Sequence, residues 1–245
     1  MSPIKTRNFG EAKRLKIVTL VDNEVWKLGL KSSWGLSFYV ETDDIKILMD
    51  TGGDYNTLKW NSDRLNVDIS SINGIFISHW HRDHYGALES VLIEIRRKIP
   101  IYVPTDNTRA REIPGQVMIA EKPMIIGKGV FSTGLIEGAV NEHSLVVNVE
   151  DKGLVILTGC SHPGITKIIK KAIELSGVKT VYHVLGGLHI SSFNDGKTVA
   201  EFFNSIGVKN LSPSHCTGED AKRAMRSFFK GKYVPIGSGY VLSIE

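Results

Sequence analysis

His79-Trp80-His81-Arg82-Asp83-His84 puts three histidines and a carboxylate into six residues, directly after the apolar run Ile75-Phe76-Ile77. A short apolar run that ends in such a cluster reads as a strand handing its ligands to a tight loop. Imidazole and carboxylate are the ligands that borderline divalent metals accept, zinc above all. The plain alternative is a solvated histidine-rich loop. Four ligand-type side chains packed this tightly gain little as core, and short His-rich tracts are themselves read as metal sites.

A dinuclear centre needs about three protein ligands per metal, with positions left open for water, so one six-residue tract cannot supply them all. The remaining candidates are His143, His162, His183, His189 and His215, with Asp50, Asp22 and Glu142. Context separates them. Asp50 ends the run Ile45–Met49 and precedes Thr51-Gly52-Gly53. His162 follows Val155–Thr158 and Gly159-Cys160-Ser161. His189 follows Val184-Leu185-Gly186-Gly187-Leu188, and His215 follows Leu211-Ser212-Pro213-Ser214. These four lie just past apolar strands, where loops converge. His183 lies inside an apolar run and reads as a core histidine. His143 sits in a turn-like stretch.

The elements that must position these groups are legible in part. Strand-like runs occur at Leu15–Val21, Leu36–Val40, Ile45–Met49, Gly74–Ile77, Ile99–Val103, Leu145–Val149, Leu154–Leu157, Thr180–Leu185 and Tyr240–Ile244, several separated by hairpin-type turns. Helical spacing predicts a helix after Gly86, through Ala87, Val91 and Ile95. A second is predicted from Ile165 through Ile168, Ile169, Ala172 and Ile173, closed by Gly177. A third carries Ala221, Ala224, Met225 and Phe228, with Thr217 as expected N-cap and Gly231 as expected C′ residue. No internal repeat is visible. Residues 105–130 are rich in Pro and Gly without periodicity, and read as one long loop. Hairpins followed by a helix, then hairpins followed by strand–helix alternation, suit an α/β fold: two mixed sheets packed face to face with helices outside, a four-layer sandwich in one 1–245 domain.

The chain has 245 residues, 42% hydrophobic and 23% charged, ordinary for a globular protein. A net charge of +4 favours anionic substrates but is too modest to argue nucleic-acid binding. No apolar run reaches the roughly 18 residues of a membrane span. Met1–Lys16 has positive charges but no apolar segment behind them, so a secretory signal is not expected and a cytoplasmic location is. Two cysteines, Cys160 and Cys216, make no disulfide framework. Glutamine occurs once, at Gln116, a weak sign of a thermophile. Oligomeric state is not legible.

His79–His84 resembles the H-x-H-x-D-H signature of the metallo-β-lactamase superfamily, and Leu48-Met49-Asp50-Thr51-Gly52 resembles the strand that precedes it there. Gly35-Leu36-Ser37-Phe38, Thr158–Ile165, Gly186-Gly187-Leu188-His189 and Ser212–Gly218 are together similar to one branch. That branch is named for 7,8-dihydropterin-6-yl-methyl-4-(β-D-ribofuranosyl)aminobenzene 5′-phosphate synthase, of methanopterin-type cofactor synthesis. The matches run from about Val18 to Ile244.

The resemblance implies the αβ/βα sandwich of that superfamily and two divalent metal ions, zinc first, with manganese or iron as alternatives. His79, His81 and His162 would hold one ion, and Asp83, His84 and His215 the other. Asp50 would fix a ligand imidazole's tautomer, and His189 would be a ligand or an acid/base facing the substrate. The usual bridging Asp after Thr-Gly is replaced by Cys160. His162 therefore takes the third-histidine role, or the bridge is lost or replaced, with Glu142 as one substitute. The implied activity is pyrophosphate-releasing transfer on a small phosphorylated substrate. The alternative is a metal-dependent hydrolase of a phosphoester, lactone or thioester. Arg109, Arg111, Lys122 and Lys128 are candidate phosphate holders. Trp26, Trp34, Trp60 and Trp80 are candidates for an aromatic slot.

Overall fold

The computed structural model describes residues 8–245. The first seven residues of the Met1–Lys16 stretch lie outside them. In chain order the strands are β1 (Leu15–Val21), β2 (Ser37–Thr42), β3 (Lys46–Met49), β4 (Gly74–Phe76), β5 (Pro100–Val103), β6 (Gln116–Ile119) and β7 (Met124–Gly127). They continue as β8 (Val130–Ser132), β9 (Leu145–Val149), β10 (Gly153–Thr158), β11 (Val181–Gly187), β12 (Asn210–Ser214), β13 (Lys232–Tyr233) and β14 (Val241–Ile244). The helices are α1 (Tyr55–Arg64), α2 (Arg82–Tyr85), α3 (Leu88–Ile95), α4 (Thr108–Glu112), α5 (Ile165–Ser176), α6 (Phe193–Ile206) and α7 (Glu219–Phe228).

The chain forms two compact units. The first is Lys13–Lys122 with Ile236–Glu245, and the second is Pro123–Pro235 with residues 8–12. In the first, one sheet runs β14-β1-β2-β3-β4-β5-β6, antiparallel from β14 to β3 and parallel from β3 to β6. In the second, the sheet runs β13-β12-β11-β10-β9-β8-β7, antiparallel from β7 to β10 and parallel from β10 to β13. The two units therefore share one pairing order, a repeat of topology that the sequence does not display. In both, loops leave the carboxyl ends of parallel strands, where open α/β sheets place their ligands.

Each sheet has its own core. In the first unit Val18, Leu20, Leu48, Ile75 and Ile101 pack with Leu88, Val91 and Ile95 of α3. In the second, Ile165, Ile168, Ile169, Ala172 and Leu175 of α5 pack with Ile156, Val184 and Leu211. The helix after Pro163-Gly164 is thus found with the apolar stripe read from the sequence, and Gly177 closes it at φ 73°.

Three expectations are corrected. Residues 105–130 are not one loop: α4, β6 and β7 occupy half of the segment. β6 pairs parallel with β5, but its half-exposed residues give no alternation to read. In α7 the N-cap is Gly218, without a side-chain cap. Thr217 instead accepts the Leu188 N–H at 3.0 Å, tying β11's exit to that of β12. Gly231 is no C′ residue, since the helix ends at Phe229 in extended backbone.

Helix α6 carries Gly196 in its interior, which hides it from propensity. A Cβ at Gly196 would lie 2.5 Å from the Ala221 carbonyl oxygen and 2.7 Å from its Cα, so glycine lets α6 lie directly on α7. Gly196→Ala gains about 1 kcal/mol of helix propensity. It forces backbone apart at the severe end of the roughly 1–3 kcal/mol overpacking range. A net loss of about 2 kcal/mol is expected in urea unfolding; an unchanged or higher midpoint would reject this packing.

His183 sits in β11, buried, with Nε2 2.8 Å from the Ser212 hydroxyl. Burial first, then the Lys232 charge, pushes its pKa down to about 4 from 6.5. Between those values the unfolded chain holds a proton that the folded chain does not, so stability falls as pH falls through the window. The full effect is about 3 kcal/mol. His183→Gln should flatten that part of the pH–stability curve between pH 7 and 4; an unaltered slope would assign acid sensitivity elsewhere.

Candidate metal centre

In the first unit, the loop from β4 through α2 meets the loop after β3. Asp50 is wholly buried at φ 56°, left-handed backbone for a non-glycine residue. Its carboxylate accepts three hydrogen bonds: the Ser78 N–H at 2.7 Å, the Ser78 hydroxyl at 2.7 Å and His84 Nδ1 at 2.7 Å. The Ser78 hydroxyl has one hydrogen and gives it to Asp50. It therefore accepts from His79 Nδ1, 2.9 Å away. One carboxylate thus fixes two imidazoles, His84 directly and His79 through Ser78, both with Nδ1 protonated and the Nε2 lone pair turned away.

Those Nε2 atoms meet further donors. His79 Nε2 is 3.1 Å from His81 Nδ1, and His84 Nε2 is 3.7 Å from an Asp83 carboxylate oxygen. Tetrahedral zinc with bonds of about 2.0–2.2 Å sets its ligand atoms about 3.3–3.6 Å apart. The two spacings bracket that value. The chemistry of the donor set also fits: imidazole and carboxylate lone pairs converge, and they repel unless a proton or cation sits among them. His79 and His84 are fully buried, whereas His81 is exposed.

In the second unit the ends of β10, β11 and β12 carry Cys160, His162, His189, His215 and Cys216. Ligand atoms of Cys160, His162 and His189 lie within 4.8 Å of one another, as do those of Cys160, His215 and Cys216. The His162 and His189 rings are 4.2 Å apart. Ser161, His189 and His215 all have left-handed φ, at 62°, 47° and 49°. Such strain on non-glycine residues gathers at functional sites, and here it falls at the strand ends read from the sequence. A hydrogen bond with the Cys160 side chain, with help from His215 and His189 and against burial, pulls the Cys216 thiol down to about 5.

Glu142 does something the sequence reading missed. One of its oxygens accepts the N–H groups of Gly159, Cys160 and Ser161, at 3.1, 3.1 and 3.0 Å; the other accepts the His162 N–H at 2.9 Å. The side chain is fully buried. It clamps the loop that carries Cys160 and His162, a different task from that of a bridging ligand. The only sequence signal was an acidic residue beside an apolar strand.

Other candidates fall elsewhere. His143 is buried against the Ser132 hydroxyl at 2.9 Å. Asp22 binds the Glu24 N–H. Arg111 pairs with Asp106 at 2.8 Å, and Arg109 donates to the Trp80 carbonyl at 3.0 Å beneath the Tyr85 ring. Lys122 and Lys128 flank the junction of the two units in sequence.

This fold and these donors define a metallo-β-lactamase-type enzyme. Residues 35–160 match the family model of the metallo-β-lactamase superfamily, and the chain belongs to that superfamily. It is 30% identical over 96% of its length to the 7,8-dihydropterin-6-methyl-4-(β-D-ribofuranosyl)-aminobenzene-5′-phosphate synthase of Methanocaldococcus jannaschii, covering 98% of that protein. Among solved structures, a metal-dependent hydrolase of the β-lactamase superfamily superposes with a TM-score of 0.76 at 27% identity, over 94% of this chain and 99% of the other. The metallo-β-lactamase fold protein YhfI of Bacillus subtilis superposes at 0.70 with 13% identity, over 95% and 100%, which bears on the fold alone. Among the described residues no helix is long and apolar enough to cross a membrane.

Proposed function

We propose that this enzyme joins a dihydropterin-methyl diphosphate to a ribofuranosylaminobenzene phosphate and releases pyrophosphate, using two divalent metal ions, zinc by preference. The observation that carries the reading is the full-length similarity to the Methanocaldococcus jannaschii synthase. In the proposed ligand set, His79, His81 and His162 hold the first ion, and Asp83, His84 and His215 the second. Bound there, the ions would supply Lewis acidity for the diphosphate oxygens.

The chain's own groups then divide the work. Asp50 and Ser78 hold His79 and His84 in the tautomer whose Nε2 can ligate. Asp83 adds a carboxylate to the second position and balances cationic charge. In the reaction the bond from the pterin methylene carbon to the diphosphate oxygen breaks, and pyrophosphate leaves with the electron pair. That carbon bonds to the aryl carbon or amine nitrogen of the acceptor, which loses a proton. His189, at the rim of the second cluster and exposed, receives it. A cytoplasmic location, a single catalytic domain and a substrate that is neither nucleic acid nor membrane belong to the same proposal.

One observation favours a second reading, hydrolysis of a phosphoester, lactone or thioester: the 27% identical superposed structure is a hydrolase. Pyrophosphate release separates the two. Metal-loaded protein should release it only with both substrates present, and His79→Ala should lower the rate by at least about 100-fold, because a ligand rather than its support is removed. Release from the diphosphate alone, independent of the acceptor, would favour the hydrolase.

A further inference from the structure

The chain between β1 and β2, residues 22–36, exposes large apolar side chains on a backbone that is held fast. Leu28 is 96% exposed, Trp34 66% and Trp26 52%. A floppy tip would account for this, but the loop is pinned. Asn61 of α1 accepts the Lys31 N–H and donates to the Lys31 carbonyl, both at 2.8 Å. Trp60 donates to the Gly29 carbonyl at 3.2 Å. The Trp26 N–H reaches the Ser238 carbonyl at 2.9 Å, and the Trp26 ring meets Tyr240 edge-on at 5.9 Å. Asn23 accepts the Gly35 N–H at 3.1 Å, closing the base of the loop.

That base lies on the ligand motif. Leu36 donates its N–H to the Asp83 carbonyl at 3.3 Å. Gly35 has φ 146°, and a Cβ there would be 2.5 Å from the same oxygen. Only glycine allows this approach, which seats Trp34 one residue from the Asp83 backbone.

We propose that Trp34, with Trp26 and Leu28, forms a stacking shelf for a flat heterocyclic ring, here the bicyclic pterin of the substrate. The proposal rests on the synthase reading above. An indole face binds any flat π-system and supplies affinity without hydrogen-bond readout. A preordered loop meets the ring with little entropy still to lose. A protein partner fits less well: a stable interface takes roughly 800 Å² per side, and this patch is one loop. Its place against Asp83 fits a ligand whose charged end is held at the metal motif.

The test is equilibrium dialysis of metal-loaded wild type, Trp34→Ala, Trp26→Ala and Leu28→Ala against hydroxymethylpterin and, separately, inorganic pyrophosphate. Thermal melts check that each exposed-site variant stays folded. Trp34→Ala should weaken pterin binding by about ten-fold or more and leave pyrophosphate binding unaltered. Equal pterin affinity in wild type and Trp34→Ala overturns the shelf and leaves the synthase reading standing. Wild type that binds no pterin yet releases pyrophosphate with both substrates also overturns only the shelf. Neither binding nor release overturns both. Loss of self-association in the variants, at unaltered pterin affinity, would reassign the patch to contact between copies of this chain.

Discussion

Asp50→Asn should lower metal affinity by about 10- to 100-fold, with activity falling alongside it. Asp50 accepts from the Ser78 N–H, the Ser78 hydroxyl and His84 Nδ1. Asparagine keeps the shape and tolerates left-handed backbone, so the φ of 56° is not what the substitution tests. What changes is the second oxygen, which becomes an NH₂ donor facing His84 Nδ1 and the Ser78 hydroxyl. His84 then relieves the donor–donor clash by moving its proton to Nε2, the atom that should ligate. The Ser78 hydroxyl loses its acceptor, so the tautomer of His79 is no longer fixed. Metal titration followed by elemental mass spectrometry reads the affinity. Equal affinity in variant and wild type would mean that imidazole orientation is set by the metal alone.

Glu142→Gln is expected to cost about 3 kcal/mol of stability and to strip the metal position that includes His162. The carbonyl oxygen of Gln can keep the three N–H groups of Gly159, Cys160 and Ser161. Its NH₂ must then face the His162 N–H, now 2.9 Å from a carboxylate oxygen. Two buried donors cannot share that space. Losing one hydrogen bond to a charged group costs roughly 1.5–3 kcal/mol, and an unsatisfied buried donor adds roughly 1–3 kcal/mol. The loop relieves this by turning His162 away. The signature is selective: one ion per chain lost while the other remains, and a lower urea midpoint. A variant that melts earlier but keeps both ions would reduce Glu142 to a stabilising clamp unrelated to ligation.

Much of this was legible in the sequence, for a physical reason. Buried parallel strands read as unbroken apolar runs; their ends are where chain polarity permits ligands, so His79–His84, Asp50, His162, His189 and His215 stood out. Two edge strands did not stand out: β6 and β7 are half exposed, so neither shows a clear apolar period. α1 is polar along most of its length, and its buried Asn61 works through hydrogen bonds to Leu20 and Lys31. α6 hides behind Gly196. Glu142 stood out as a carboxylate but its clamping role did not, because that role depends on four backbone N–H groups presented by a distant turn, which no spacing rule encodes. The expected Thr217 cap failed because the threonine hydroxyl was already taken by Leu188.

A metal centre built on these histidines and carboxylates fixes the number of ions each chain must hold. Protein purified, stripped with chelator, reloaded with zinc and dialysed should hold two ions per chain by elemental mass spectrometry, with pyrophosphate release lost on stripping and restored on reloading. Retention of no metal after reloading, with release of pyrophosphate undiminished by the chelator, would contradict it.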